Sequence, residues 1–258
     1  LFIVLAIYLL IYFKEPMRGA MEHEIAKVLS ATGSRYNYKI TKETVKSVLF
    51  SSSNILVLVE GIFTSLFFGI VDLVLIPYIQ GPPTNISPSV FSYIILIFSI
   101  PATLIGSVLL AKFSDKLAEK SSRNRIYLII IGLIIGAIFS ALAFTIQIPS
   151  LTLEQGNSFK DVIVIGKIQI IGVVLLVSRV SFSIFNVNQT PIIQELNLPE
   201  TQGTMKSLNQ LVETVGYALG PIFAAFLLEI FNQNYSALSP AIFLFSLPGI
   251  IMWIVVLS

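Results

Sequence analysis

The 258-residue sequence contains no cysteine, a single histidine and a single tryptophan, and only 12% of its residues are charged. The absence of cysteine excludes a disulfide framework, thiolate catalysis, iron–sulfur ligation and zinc sites built on cysteine. Ordinary soluble domains carry about 25% charged residues. A soluble fold of this length therefore lacks the polar residues that it would need to cover its surface.

Motifs of enzymes are also missing. The single histidine excludes a catalytic metal site built on several histidines within this sequence. His23 opens the run His-Glu-Ile-Ala-Lys, so Lys27 stands where a zinc-protease motif needs its second histidine. Neither a glycine-rich phosphate loop nor a Gly-x-Ser-x-Gly elbow occurs. We expect no enzymatic activity, no bound metal and no cofactor.

Apolar residues make up 55% of the sequence, and they cluster in long runs. A helix needs about 20 mostly apolar residues to cross the hydrocarbon core of a bilayer. Six segments meet this requirement, and they run approximately over 54–79, 88–111, 126–148, 162–187, 207–231 and 237–257. The sequence therefore predicts an all-α membrane protein whose 54–258 region is a six-helix bundle. The apolar run 1–13 is too short to span, and we interpret it as the end of a truncated transmembrane helix.

Lys and Arg are distributed unevenly over the connections between the predicted spans. Seven of them lie in 14–53, five in 112–125 and one at Lys206, whereas the alternate connections contain only Lys160. Because cytoplasmic loops are enriched in Lys and Arg, we predict that 14–53 and 112–125 face the cytoplasm. The 14–53 segment mixes acids with its bases and shows helical apolar spacing. It is predicted to be a cytoplasmic linker with amphipathic helices, and nucleic acid is not an expected partner.

Five ionisable residues inside the predicted spans are candidates for the functional site: Glu60, Asp72, Lys167, Arg179 and Glu213. Each costs about 2.5–3.5 kcal/mol at the centre of a membrane helix, so partners or a wet cavity are expected. Glu60 and Asp72 are twelve residues apart, and so are Lys167 and Arg179. Antiparallel packing of these two spans predicts a Glu60–Arg179 pair. The same register predicts an Asp72–Lys167 pair, although Lys167 is close enough to the end of its span to reach water instead.

Among these five candidates, the pairings leave Glu213 as the acid without a base. We predict that Glu213 is a coupling group that gains and loses a proton. The alternatives are an acid that stays hydrated near the cytoplasmic end of its span, or one that shares Arg179 with Glu60. Several amides lie near the same end, and they serve either helix packing or substrate contact: Asn186, Asn188, Gln189, Asn209 and Gln210.

Two further features belong to helix ends and packing faces. Asp115 lies at the cytoplasmic end of its span, where it either latches a neighbouring helix N-terminus or remains a solvated loop acid. Gly216 and Gly220 stand four residues apart and form a small-residue face, which favours close approach of another helix.

Three stretches resemble sequence motifs of major facilitator superfamily transporters. The resemblance is carried by Glu15-Pro16-Met17-Arg18-Gly19-Ala20-Met21-Glu22, by Gly106 through Ala111-Lys112-Phe113-Ser114-Asp115-Lys116, and by Leu198-Pro199-Glu200-Thr201-Gln202-Gly203 with Gly216 and Gly220-Pro221. The first is similar to a run found in the spinster-like subgroup. In the other two, Ala111, Lys116 and Gln202 depart from the usual Gly, Arg and Arg.

The resemblance implies the C-terminal half of a two-bundle transporter whose N-terminal half is missing from this sequence. It implies alternating access in the lipid bilayer, with a small or lipid-like substrate and with a proton or sodium as the coupling ion. Asp115 and Lys116 would belong to a cytoplasmic gating loop. A channel and a receptor or scaffold are the alternative functions, although no filter-like loop and no sensor domain are found.

Overall fold

The computed structural model describes residues 51–257 together with Tyr8, Tyr12, Thr41, Glu43, Lys46, Val48 and Phe50. The chain divides into two compact units, Leu1–Lys42 and Glu43–Ser258, and the helices given below belong to the second unit. The predicted truncated span and most of the predicted cytoplasmic linker lie outside the described residues. Those two domain assignments stay predictions.

Within residues 51–257 the chain is helical, with short connections. The helices are α1 (Ser52–Gln80), α2 (Pro88–Ala118), α3 (Arg123–Ala143), α4 (Leu153–Asn157), α5 (Phe159–Ile163), α6 (Gly166–Glu195), α7 (Pro199–Ile230) and α8 (Tyr235–Leu257). Six of them, all except α4 and α5, are long and apolar enough to cross a membrane. The all-α membrane fold and the six predicted spans are therefore confirmed.

Several helices are longer than their predicted spans. α2 continues to Ala118. Asp115 and Lys116 therefore lie in a helix, whereas the sequence analysis placed them in a loop. α6 continues to Glu195, and α7 already begins at Pro199. Hydropathy marks only the part of a helix that lies in hydrocarbon, whereas backbone hydrogen bonding carries the helix further into the polar region. The predicted spans are therefore too short for α2, α6 and α7, whereas the predicted span 126–148 extends beyond the end of α3 at Ala143.

The middle of α2 is a π-helix over Ile105–Leu110, just after Pro101. Proline has no backbone N–H to donate, and such breaks in the hydrogen-bond ladder are where helices change their winding. Gly106 lies in this stretch and contacts α6 so closely that a Cβ atom there would be 2.0 Å from Cβ of Ser183. The altered winding and the glycine together bring α2 against α6.

The contacts between helices show the direction in which each one runs. α1 is antiparallel to α6, because Asn54 bonds Asn197 near one end of the pair and Asp72 bonds Arg179 further along. α1 is parallel to α7, because Gly61 contacts Asn209 whereas Gly69 contacts Gly220. α1, α6 and α7 are the first, fourth and fifth long helices, and they therefore run in the directions that alternating membrane spans require.

Helix packing follows a symmetric pattern. α1 packs on α7 and α8, α6 packs on α2 and α3, and α3 packs on α8. Exchanging the first three long helices with the last three leaves this set of contacts unchanged. Since α1 and α6 run in opposite directions, the pattern is that of the three-plus-three inverted repeats found in transporter bundles.

Glycines set the distance between α1 and α7. A Cβ atom on Gly216 would lie 2.3 Å from the carbonyl oxygen of Ile62, and one on Gly220 would lie 2.5 Å from Cα of Gly69. Only residues without a side chain allow backbones to approach this closely. The predicted packing role of Gly216 and Gly220 is therefore confirmed.

The bundle has an apolar interior and apolar outer faces. One large cluster of buried side chains joins the long helices, and it includes Phe67, Ile129, Phe182 and Trp253. Large apolar side chains such as Leu109 on α2 are exposed on the outside. In water such faces would be unstable, whereas in a bilayer they contact lipid tails of the same polarity.

Candidate functional site

Two groups of polar side chains lie inside the bundle, along the seam where α1 faces α6. We call Asp72, Arg179 and Tyr217 the ion-pair cluster. We call Glu60, Thr64, Gln189, Asn209 and Glu213 the acid cluster. The helix backbones of α1 and α6 do not pack closely on each other, so side chains form most of this seam.

The ion-pair cluster joins three helices. Arg179 Nη2 on α6 donates to Asp72 Oδ1 on α1 over 2.6 Å. The Tyr217 hydroxyl on α7 donates to Asp72 Oδ2 over 3.3 Å. The Arg179 side chain is 41% exposed and that of Asp72 is 31% exposed. The charged pair is therefore formed but remains reachable from the space between the helices.

The two pairings predicted from sequence are wrong. Arg179 binds Asp72, and at that register Glu60 faces Gln189 rather than Arg179. Lys167 is exposed in the first turn of α6, and among the described residues it has no acidic partner. The observed register of α1 against α6 differs from the predicted one by twelve residues, which is the spacing of the charges on each helix. Asp72 from one predicted pair therefore meets Arg179 from the other.

Glu60 is the most deeply buried acid of the described chain, with no exposed surface. Its Oε1 accepts a 2.5 Å hydrogen bond from the Thr64 hydroxyl, one turn further along α1. Its Oε2 has no hydrogen-bond partner among the described residues. The indole of Trp253, the amide of Gln189 and the carboxyl of Glu213 surround it from α8, α6 and α7. Glu60 therefore sits at a junction of four helices.

Glu213 is half-buried and better supplied with hydrogen-bond donors. Its Oε1 accepts from Gln189 Nε2 over 2.5 Å and from Asn209 Nδ2 over 2.6 Å. Asn209 is fully buried, and its Oδ1 has no partner in the described part of the chain. A Cβ atom on Gly61 would lie 3.2 Å from this Oδ1. The glycine thus lets the α7 side chains lie directly against α1.

Phenylalanines separate the two polar clusters. Phe68 on α1 stacks edge-on against Phe182 on α6, with ring centroids 4.6 Å apart, and Phe67 and Phe185 flank this contact. We call these four residues the aromatic layer. Asp72 and Glu60 are twelve residues apart on α1, about 18 Å along the helix, and the aromatic layer fills the space between. The two clusters are therefore distinct sites.

Further toward the predicted cytoplasmic end, a pair of amides closes the seam. Asn54 Nδ2 donates to Asn197 Oδ1 over 2.7 Å, and Asn197 Nδ2 donates back over 3.0 Å. Both side chains are buried. This link was missed from the sequence, because Asn197 lies beyond the predicted end of its span. Tyr217, Thr64 and Trp253 were missed as well, since a single hydroxyl or indole in an apolar run carries no signal.

Asp115, one of the two residues assigned to the gating loop, takes part in a charged cluster. Its Oδ1 accepts from Arg125 on α3 over 2.9 Å, and Arg125 also lies 3.9 Å from Glu195 at the end of α6. The Asp115 side chain is thus an exposed acid paired with a guanidinium, and not a cap on helix N–H groups. Lys116 is exposed and has no ion pair among the described residues. The gating role of both residues stays a prediction.

The remaining amides have structural partners or face outward. Asn188 accepts from the Ser114 hydroxyl and so links α6 to α2. Asn186 and Gln210 are exposed. Over the described residues, no group of three or more His, Asp or Glu side chains is placed to hold a metal ion.

Comparison with known proteins adds to this geometry. The family model described as Major Facilitator Superfamily matches residues 2–258. No curated protein and no solved structure matches the chain. The family match is to the superfamily as a whole, so the resemblance to the spinster-like subgroup stays a prediction. With six membrane-spanning helices and a family match over nearly all of its length, the chain belongs to the Major Facilitator Superfamily of membrane transporters.

Proposed function

We propose that this protein is a secondary active transporter that moves a small or amphipathic solute by alternating access. The observation that carries the proposal is the partly exposed ion pair between Asp72 and Arg179, which bridges two helices whose backbones do not pack together. A charged group inside a membrane is costly unless it is paired or lines a wet cavity. Such groups therefore mark substrate and ion pathways.

The ion pair is suited to open and close the seam. A solute with a charged or polar headgroup competes for Asp72 or Arg179, and its apolar part finds the Phe68 and Phe182 rings directly below. Because opposite charges in a medium of low dielectric attract strongly, breaking this pair requires such a competing group. Binding of the solute and separation of α1 from α6 are thus linked.

The proposal includes a second helix bundle and a coupling ion. A single six-helix bundle lines a transport pathway on one side only. Alternating access therefore requires a second bundle that faces α1 and α6. We assign proton coupling to the acid cluster, with Glu213 as the residue identified from sequence. Asp115 and Arg125 hold the ends of α2 and α3 together on the predicted cytoplasmic side, where Lys116 stays free of this contact.

Solute counterflow tests the function. The complete protein is reconstituted into liposomes that are preloaded with an unlabelled candidate, such as a lysophospholipid or a short organic acid. A carrier with one alternating site exchanges solute across the membrane, so labelled solute should accumulate transiently above its external concentration. The matched control is protein-free liposomes. Uptake that rises to equilibrium without an overshoot for every transported solute would identify a channel and contradict the proposal.

The orientation of the helices gives a second prediction. Ser122 is exposed between α2 and α3, and Asn157 is exposed at the other end of the bundle, in α4. In a cysteine-free background, S122C should react with an impermeant maleimide only after the cells are opened, because cytoplasmic loops carry the excess of Lys and Arg. N157C should react in intact cells. The reverse labelling pattern would invert the topology.

A further inference from the structure

The acid cluster contains two neighbouring carboxyl groups and no basic residue among the described side chains that face Glu60. It brings two carboxyl groups, Glu60 and Glu213, close enough to interact electrostatically. Among the described residues, the groups facing Glu60 from α6, α7 and α8 are Gln189, Glu213 and Trp253, and none of them is basic. The other charged residue of α1, Asp72, lies beyond the aromatic layer and is paired with Arg179.

Two buried oxygen atoms of this cluster lack a hydrogen-bond donor, and the single unpaired donor beside them, Nε1 of Trp253, can serve only one of the two. They are Oε2 of Glu60 and Oδ1 of Asn209, and both residues have no exposed surface. Buried polar atoms are almost always hydrogen-bonded, so an unpaired pair of acceptors at one site calls for an explanation. A proton on one carboxyl group supplies the missing donor. It also removes one of two like charges from a buried site.

The two carboxyl groups are not equivalent. Glu213 Oε1 accepts from two amides, those of Gln189 and Asn209, and this stabilises its ionised form. Glu60 accepts a 2.5 Å hydrogen bond from the Thr64 hydroxyl, has the Gln189 amide and the Trp253 indole as further donors nearby, and has no exposed surface. When the environments of two neighbouring carboxyl groups differ in this way, one group is protonated while the other is ionised.

We propose that Glu60 and Glu213 form one proton-binding site, in which a single exchangeable proton resides on Glu60 while Glu213 is ionised. The proton-binding site rests on the geometry alone, and its coupling to solute movement rests on the proposed function. It revises the prediction from sequence, which assigned the proton to Glu213. Loss of the proton leaves two facing negative charges, one on α1 and one on α7. The charge of the seam therefore depends on the pH on the side of the membrane from which water reaches it.

Trp253 provides a direct probe of this site. It is the single tryptophan of the 258-residue sequence, and its indole faces the Glu60 carboxyl. Tryptophan emission depends on the charge beside the ring. The complete protein, purified in detergent, is titrated with pH, and the signal of Trp253 is the emission that the W253F variant loses. We expect one titration step with a single midpoint.

Three variants decide between the outcomes. E60Q should abolish the step, because the titrating group is gone. E213Q should move the midpoint to lower pH by about one unit or more, because a neighbouring negative charge no longer favours the bound proton. E229Q serves as the matched control, since Glu229 is an exposed acid on the same helix as Glu213, and it should leave the midpoint unchanged.

The proposal fails if the parent protein shows no step between about pH 4 and 10, or if the step survives in E60Q. If E60Q does not fold, E213Q decides alone, and an unchanged midpoint overturns the shared site. A midpoint that shifts when sodium chloride replaces choline chloride would identify a sodium site instead. Because fluorescence does not require transport, these outcomes are separate from the counterflow result.

Discussion

Replacing Gly220 by alanine should lower the melting temperature of the complete protein in detergent by about 5–10 °C. A Cβ atom at this position would lie 2.5 Å from Cα and the carbonyl carbon of Gly69, and 2.8 Å from the backbone nitrogen of Ile70. Backbone atoms of a helix cannot rotate away as a side chain does. α1 and α7 would have to separate, and overpacking of this kind typically costs 1–3 kcal/mol or more.

The same helix offers a matched control. Gly203 is also a glycine of α7, but a Cβ atom there would have no heavy atom within 4 Å. G203A should therefore keep or slightly raise the melting temperature, because alanine favours a helix over glycine by about 1 kcal/mol. Equal melting temperatures for G220A and G203A would show that the glycine contact between α1 and α7 does not stabilise the fold.

Reversing the sign of one member of the ion pair should reduce transport at least tenfold, while reversing both should restore part of it. In R179E, two acids face each other at a partly buried position, and an uncompensated charge there costs several kcal/mol. The double variant D72R/R179D rebuilds an ion pair with the opposite direction across the seam. Initial rates of counterflow in liposomes measure the effect, with equal amounts of folded protein verified by size-exclusion chromatography.

Lys167 provides the comparison for this experiment. It lies in the same helix as Arg179, but it is exposed in the first turn. K167E should therefore change the transport rate less than twofold. If R179E and K167E have the same rate, or if the double variant is no better than R179E, the Asp72–Arg179 pair has no role in transport.

The positions of the helices could be predicted from hydropathy because the bilayer imposes a minimum length of apolar sequence. The partners of the charges could not. Four charges with equal spacing on two antiparallel helices fit more than one register, and a shift of twelve residues pairs Asp72 with Arg179 while leaving Glu60 and Lys167 without their predicted partners. The same register also brings together a pair of residues that carry no charge, the amides of Asn54 on α1 and Asn197 on α6.

The acid cluster illustrates a second limit. Glu60 and Glu213 stand out in the sequence as acids within apolar runs. What brings them together is the close approach of α1 to α7, and that depends on which of the many possible small-residue faces meet. Trp253 and Thr64 complete the site from positions that look like ordinary membrane-helix residues. The two acids of this candidate site could therefore be selected from the sequence, whereas its other members could be identified only from the packing of the helices.

The glycine contacts also divide the bundle into mechanical parts. Gly69 and Gly220 hold α1 close to α7. On the symmetric side, Gly106 of α2 contacts Ser183 of α6, and Gly172 of α6 contacts Phe98 of α2. Between these two helix pairs the close backbone approaches are few, and α1 and α6 meet mainly through side chains. A rearrangement that separates Asp72 from Arg179 should then move α7 together with α1, and α2 together with α6, as two rigid bodies. Both polar clusters lie along the seam between α1 and α6, and this is where the two rigid bodies separate most easily.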